Sequence, residues 1–297
     1  MRAFVVGGSG LIGGRIVGVL SERGHRTTTL SRTPSKSGHA LDLADASVDD
    51  LRPLLREHDA VVFAARTDEQ LPLKRPLHPR LRRTMVDPVV RLFAAAREEG
   101  VSRGLILGSY YTYFDRLHPE WKLAERHTYV RCRAEQAVEA RAAAGFPVSV
   151  LELPFILGPT TNWAGPLDRW ARSRAPLYAP VGGTAVASAT SVALTAADAL
   201  EAASAEDIPI ADENLSWHEM FARIAAAVGR SRRVGRLPAS LARGGSRLGG
   251  ALQALGGKET GINTGQLADL MLRDLYIEPV TGRPLDAAFA ETFAPAA

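Results

Sequence analysis

Three glycines near the start of the chain, Gly7, Gly10 and Gly13, stand at the spacing G-x-x-G-x-x-G. Ahead of them runs Ala3 to Val6, a short apolar stretch. Behind them Leu11, Ile12, Ile16, Val19 and Leu20 recur at helical intervals. The glycines therefore sit where a buried strand turns into a helix, and that turn can hold a phosphate. One glycine makes the tight turn, one lets backbone N–H groups approach a pyrophosphate, and one lets helix and strand pack closely. The helix N-terminus adds its partial positive charge to the anion site. Two other glycine-rich chemistries are excluded. A Walker-type loop needs Lys after its last glycine, but Gly14 and Arg15 follow here; the elbow G-x-S-x-G needs glycine where Leu11 stands. Dinucleotide binding is the reading that survives.

A second residue with chemistry to offer is Arg32, at the end of the β-branched run Arg26 to Leu30. In dinucleotide folds this place faces the adenosine ribose. An acid there binds the 2′-hydroxyl of NAD, whereas Arg accommodates the 2′-phosphate of NADP. No acid occurs from Thr27 to Ser37, so NADP is favoured over NAD. Farther along, Tyr129 and Arg133 stand four apart in a helical pattern, on one face and one turn from each other.

The elements that must position these residues alternate. After the second strand come a short strand His39 to Leu43, a helix Val48 to Glu57, and the uninterrupted apolar run Asp59-Ala-Val-Val-Phe-Ala-Ala65, typical of a parallel strand covered on both faces. The connection Arg66 to Pro79 carries Pro72, Pro76 and Pro79 and has the length of a lip over a site. Leu81 to Glu99 is helical, with Pro88 starting or kinking it. Gly104 to Gly108 is a further buried strand that delivers Ser109, Tyr110, Tyr111, Thr112 and Tyr113, and Ala124 to Ala144 is a long helix. Pro147 to Leu153 is another strand. This alternation predicts an α/β doubly wound parallel (Rossmann) sheet, whose ligands lie beyond the carboxyl ends of the strands. Gly7 to Gly13, Arg32, Asp42 and Ala64 to Arg66 should then line one rim. Beyond Gly158 the alternation lapses into helical patterns with glycine- and proline-rich joints. The expected division is a dinucleotide-binding domain over residues 1–158 and a smaller, mostly helical C-terminal substrate lobe over 159–297, free to interleave with the first.

Composition limits the function further. With 297 residues, 46% of them hydrophobic, the chain can bury a substantial core. The formal charge is +4, but only four of the 36 basic residues are Lys and most are scattered, so no nucleic-acid partner is expected. Cys132 is the single cysteine and the seven histidines are isolated in sequence, so no metal is expected. No apolar stretch approaches membrane-spanning length, and with the glycine loop beginning at Gly7 no cleavable leader is expected. A cytoplasmic compartment and no membrane partner follow as expectations.

The loop VGGSGLIGG, the Asp42-Leu43 pair, VVFAA, the Ser109 to Tyr113 segment, Tyr129-Val-Arg-Cys-Arg133-Ala-Glu and LELPFILGP occur in this order, and Asn214-Leu-Ser-Trp-His-Glu-Met-Phe follows. In that order the chain resembles the short-chain dehydrogenase/reductase superfamily, in its extended or atypical branch of NAD-dependent epimerases and dehydratases, over about Met1 to Gly229. The resemblance implies a cofactor held by Gly7, Gly10, Leu11, Ile12, Gly13, Arg32, Asp42, Leu43, Ala64, Ala65 and Pro154. It also implies a Ser–Tyr–Lys mechanism, carried here by Ser109, Tyr129 and, in place of Lys, Arg133. Tyr129 would exchange a proton with a substrate hydroxyl or carbonyl, Ser109 would hold that oxygen, and a cation one helical turn away favours the phenolate. Arg133 keeps the charge but cannot relay a proton, because a guanidinium is never deprotonated. Met85 stands where the family usually has Asn. The implied function is an NAD(P)-dependent oxidoreductase, epimerase or dehydratase acting on a small hydroxyl- or carbonyl-bearing metabolite, a sugar nucleotide or a secondary-metabolite intermediate. The alternative is a weakly catalytic or non-catalytic NADP-binding sensor or structural protein. A homodimer through the helices Leu81 to Glu99 and Ala124 to Ala144 is implied as well.

Overall fold

The computed structural model describes residues 1–32, 38–65, 71–159, 164–230, 233–279 and 281–293. In chain order the first elements are β1 (Arg2–Val6), α1 (Leu11–Glu22), β2 (Arg26–Ser31), β3 (Gly38–Ala40), α2 (Val48–Leu55), β4 (Ala60–Phe63), a two-residue β5 (Leu73–Lys74) and α3 (His78–Leu81). A π turn at Arg82–Val86 leads into α4 (Asp87–Glu98). Then come β6 (Arg103–Leu107), α5 (Tyr110–Leu117), α6 (Leu123–Arg126), α7 (Thr128–Ala144) and β7 (Val148–Glu152). The chain continues through β8 (Phe155–Leu157), α8 (Ala164–Arg172), β9 (Leu177–Ala179), β10 (Gly183–Ser188), α9 (Ala189–Glu201) and β11 (Asp207–Pro209).

Seven of these strands form one sheet in the order β11-β7-β6-β4-β1-β2-β3, every neighbouring pair parallel. The order runs outward in both directions from β1, the doubly wound arrangement the alternation predicts. Its centre is dry: Ala60, Val61 and Val62 of β4 and Ala3, Phe4 and Val5 of β1 are fully buried, as strands covered on both faces must be. Leu92 and Phe93 of α4 and Ala140 and Ala144 of α7 belong to the same core. Helix starts follow local chemistry. Ser47 and Asp50 form a reciprocal capping box at α2. The π turn has a cause in sequence too. Pro88 in the first turn of α4 has no N–H to give the carbonyl four residues back, and the ladder shifts register so that the Asp87 N–H reaches the Arg82 carbonyl.

The chain forms two compact units. The first comprises Met1–Glu152, Val192–Pro209 and Thr260–Ile262; the second comprises Leu153–Ser191, Ile210–Glu259 and Asn263–Ala297. The chain first passes into the second unit at Leu153. β8 is the physical reason: Phe155, Ile156 and Leu157 pair in parallel with Val186, Ala187 and Ser188 of β10, and so leave the large sheet. The second unit holds β12 (Glu213–Ser216), α10 (Trp217–Ala227), β13 (Val234–Arg236), α11 (Ala239–Leu255), β14 (Lys258–Glu259), α12 (Leu267–Met271), β15 (Asp274–Leu275) and α13 (Asp286–Phe293). It also holds a four-stranded sheet of β8, β10, β12 and β15 that no periodicity in the sequence announces. Trp217, Met220, Phe221 and Ile224 of α10 fill its core with Leu285, Phe289 and Phe293. Among the described residues no helix is long and apolar enough to cross a membrane.

Candidate functional site

At the carboxyl end of β1, Gly7 takes φ +80°, and a Cβ there would lie 2.8 Å from the Ala64 carbonyl carbon and the Ala65 nitrogen. Both conditions exclude any other residue: the left-handed backbone and the closeness of the chain leaving β4. Gly13, in the first turn of α1, is packed more tightly still, since its Cβ would stand 2.2 Å from the Gly7 carbonyl oxygen. The loop closes on itself through Gly10 N–H to Gly7 O at 2.9 Å, and on the sheet through Gly7 N–H to Leu30 O at 2.8 Å. Gly10 is the N-cap of α1, with φ −80° and no side chain to occupy the first-turn N–H groups. Leu11 and Ile12 form that turn, half-buried. A narrow glycine cradle in front of an uncapped helix start fits a dinucleotide pyrophosphate. Gly8, which the spacing rule passes over, belongs to the cradle too: its Cβ would meet Thr29 Cγ2 at 2.5 Å. The unbroken pair Gly7-Gly8 before a β-branched strand is the signal that could have found it.

Arg32 is exposed just beyond β2, and Thr33 to Ser37 lie outside the described residues. Asp42 spends its carboxylate on a turn, accepting from the Ala44 N–H at 3.0 Å. The Leu43 side chain is 9% exposed and joins the core. This loop is held from below by Arg91 of α4, which donates to the carbonyls of Ala46 (2.7 Å), Leu43 (2.9 Å) and Ala44 (3.1 Å). Ala64 and Ala65 continue β4 beside Gly7. Arg66 lies outside the described residues, and Pro154 is in the second unit, buried between β7 and β8.

Tyr129 and Arg133, both buried, meet on α7: Arg133 Nε donates to the Tyr129 hydroxyl at 3.2 Å and the guanidinium carbon stands 5.2 Å from the ring centre. Arg133 Nη1 donates to the carbonyl of Leu107, the last residue of β6, and to Gln136 Oε1, each at 2.9 Å. The pair is therefore anchored at a strand's carboxyl end, two residues from Ser109. Ser109 is buried as the N-cap of α5, its Oγ accepting from the Tyr111 N–H at 3.4 Å. Its start is pinned from β7. Glu152, wholly buried, accepts from Thr112 (2.6 Å) and from both terminal nitrogens of Arg116 (2.8 and 2.9 Å), and burial pushes its carboxyl up despite those bonds. Burial, with Tyr110 and Tyr129 as neighbours, holds the Tyr111 phenol well above the usual tyrosine range, so it stays protonated. The first turn of α7 is set by the Gly261 carbonyl, which accepts from the Tyr129 N–H at 2.9 Å.

Cys132 is wholly buried beside His78 and Glu135. Burial, and Glu135 next to it, push its thiol up to about 12, which removes it as a nucleophile. Folding does gather His78, Cys132 and Glu135 within 4.8 Å of one another, a convergence of ligand types that the scattered sequence positions conceal. The Glu135 carboxylate is already engaged by His78 Nε2 (3.0 Å), Arg131 Nε (2.9 Å) and Arg82 Nη1 (3.2 Å), so this cluster is an ion-pair hub.

A family model described as NAD(P)H-binding matches residues 7–203. No curated protein matches the sequence. Among solved structures, gox2253 is similar over 99% of this chain and 97% of its own, with TM-score 0.78 and 20% identity. The Bordetella bronchiseptica enzyme WbmH, solved with NAD+, is similar over 99% and 97%, with TM-score 0.72 and 12% identity. The human epimerase family protein SDR39U1, solved with NADPH, is similar over the whole of both chains, with TM-score 0.66 and 18% identity. At these identities the likeness is one of fold.

Proposed function

The chain belongs to the NAD(P)H-binding family, and from that premise we propose that it is an NADP-dependent oxidoreductase or epimerase of the short-chain dehydrogenase/reductase type, acting on a small hydroxyl- or carbonyl-bearing metabolite. The observation that carries this reading is the buried bond from Arg133 Nε to the Tyr129 hydroxyl, anchored on the carboxyl end of β6 in the sheet whose β1 carries the glycine cradle. A nicotinamide, when bound, supplies or accepts the hydride. Tyr129 moves the accompanying proton, giving it to a substrate carbonyl oxygen or taking it from a hydroxyl. Arg133 can only donate, so its Nε–H holds the Tyr129 oxygen and the proton is exchanged on the substrate side. The Gly7–Gly13 cradle orients the dinucleotide, and Arg32, free of competing acids on its strand, suits a 2′-phosphate.

The test is turnover of an aldehyde, ketone and alcohol panel by the purified protein with NADPH and NADP, alongside Tyr129→Phe. Activity that falls by a factor of roughly 10² or more in the variant is the expected result, within the range for a lost general acid. A variant that turns over at the wild-type rate removes Tyr129 from the mechanism. A second reading, a dinucleotide-binding protein without turnover, is favoured by one observation: an arginine, which cannot relay a proton, is the cation bonded to the Tyr129 hydroxyl. NADPH binding with no turnover anywhere on the panel is its signature.

A further inference from the structure

Tyr129, Arg133 and Gln136 stand at i, i+4 and i+7 of α7 and so share one face; they are 9, 8 and 1% exposed. A guanidinium and a primary amide at such depth need partners for their N–H groups, or their desolvation goes uncompensated. The partners form a chain with a direction. Gln136 Nε2 donates to the Met85 carbonyl, Arg133 Nη1 donates to Gln136 Oε1, and Arg133 Nε donates to the Tyr129 hydroxyl. Met85 belongs to the π turn before α4, and its carbonyl accepts from Gln136 of α7.

We propose that Gln136 is a positioning residue for the Tyr129 proton step: it sets the rotation of the Arg133 guanidinium so that Nε faces the phenol oxygen. This rests on the reading of Tyr129 as the group that exchanges the proton. A lysine in place of Arg133 would have a single nitrogen for three acceptors that lie apart, the Leu107 carbonyl, Gln136 Oε1 and the Tyr129 hydroxyl. The planar fork reaches all three, but only at one rotation, and an acceptor on the same helix face must select it. The hydrogen-bond chain thus ends on the Met85 backbone carbonyl, one helix away from Gln136. Neither the amide nor the guanidinium gives up a proton, so the proton that Tyr129 exchanges is replaced from the substrate-facing side.

The experiment compares Gln136→Met, which keeps length and packing but loses both hydrogen bonds, with Gln136→Glu, which keeps the acceptor toward Arg133. Three readouts are taken: solvent exchange of the Arg133 Nε–H in protein labelled with 15N-arginine, assigned by its loss in Arg133→Lys; NADPH affinity by fluorescence; and kcat on the best panel substrate. In Gln136→Met the Nε–H should exchange at least about tenfold faster and kcat should fall roughly 10- to 100-fold, as for misplaced catalytic groups, with NADPH affinity unchanged. Gln136→Glu should keep the Nε–H protected and recover most of kcat. An unchanged exchange rate in Gln136→Met overturns the proposal, as does a loss of NADPH affinity that matches the loss of kcat. The exchange readout needs no turnover, so it stands or fails separately from Tyr129→Phe.

Discussion

Replacing Gly13 with alanine tests the cradle directly. The added methyl carbon would lie 2.2 Å from the Gly7 carbonyl oxygen, 2.8 Å from its carbon and 3.2 Å from Gly8 Cα. All three are backbone, so no side-chain rotation relieves them. An ordinary contact requires the loop and α1 to part by roughly 1 Å. That movement strains the Gly10 N–H to Gly7 O bond and displaces the N–H groups offered to the pyrophosphate. Overpacking of this kind costs about 1–3 kcal/mol, partly offset by the better helix propensity of alanine, about 1 kcal/mol. The net loss of about 0–2 kcal/mol corresponds to a Tm lower by up to roughly 3 °C in a chain of this size, and a 1 Å displacement of binding groups should cost on the order of 10² in NADPH affinity. The control is Gly18→Ala in the same helix. Gly18 is exposed with nothing within 4 Å of its absent Cβ, so that variant should gain about 0.5–1 kcal/mol and bind NADPH normally. Thermal unfolding and fluorescence titration read both effects. Wild-type NADPH affinity in Gly13→Ala would refute the cradle, and equal damage from Gly18→Ala would show that the close approach is not the cause.

Arg32→Glu should weaken NADPH more than NADH in parallel titrations; equal losses would remove Arg32 from the 2′-phosphate. Arg91→Met strips three loop carbonyls of their donor, so urea unfolding should show a loss of about 1–3 kcal/mol together with weaker NADPH binding, because the loop carries Asp42 and Leu43. The Glu139 carboxyl is held below the usual glutamate range by its hydrogen bond from Arg82. A carboxyl lowered in the folded state adds stability above its unfolded value of 4.5 and loses it as pH falls through the folded value. Arg82→Met should therefore flatten the acid limb of stability, read as urea midpoints across that window, and an unchanged limb would contradict the assignment.

Much of this molecule is legible in local pattern. The glycine spacing, the apolar runs Ala3 to Val6 and Ala60 to Phe63, and their alternation with helices determine a doubly wound sheet, because a strand buried on both faces has to be apolar throughout and a tight strand-to-helix turn has to be glycine. The i, i+4 spacing puts Tyr129 beside Arg133 before any fold is known, and the i+7 position of Gln136 was equally readable on that face. What Gln136 does there was not. Its partner is a backbone carbonyl 51 residues away, in the π turn before α4, and a carbonyl has no sequence signature. For the same reason Gly8 shows its role only against Thr29, Arg91 only against the carbonyls of a distant loop, and β8 becomes a strand of the second unit only because β10 offers it an edge. Periodicity and side-chain type report what a residue does to its own element. Which backbone groups, brought in from afar, complete its hydrogen bonds is decided by tertiary packing alone, because those groups are the same in every residue.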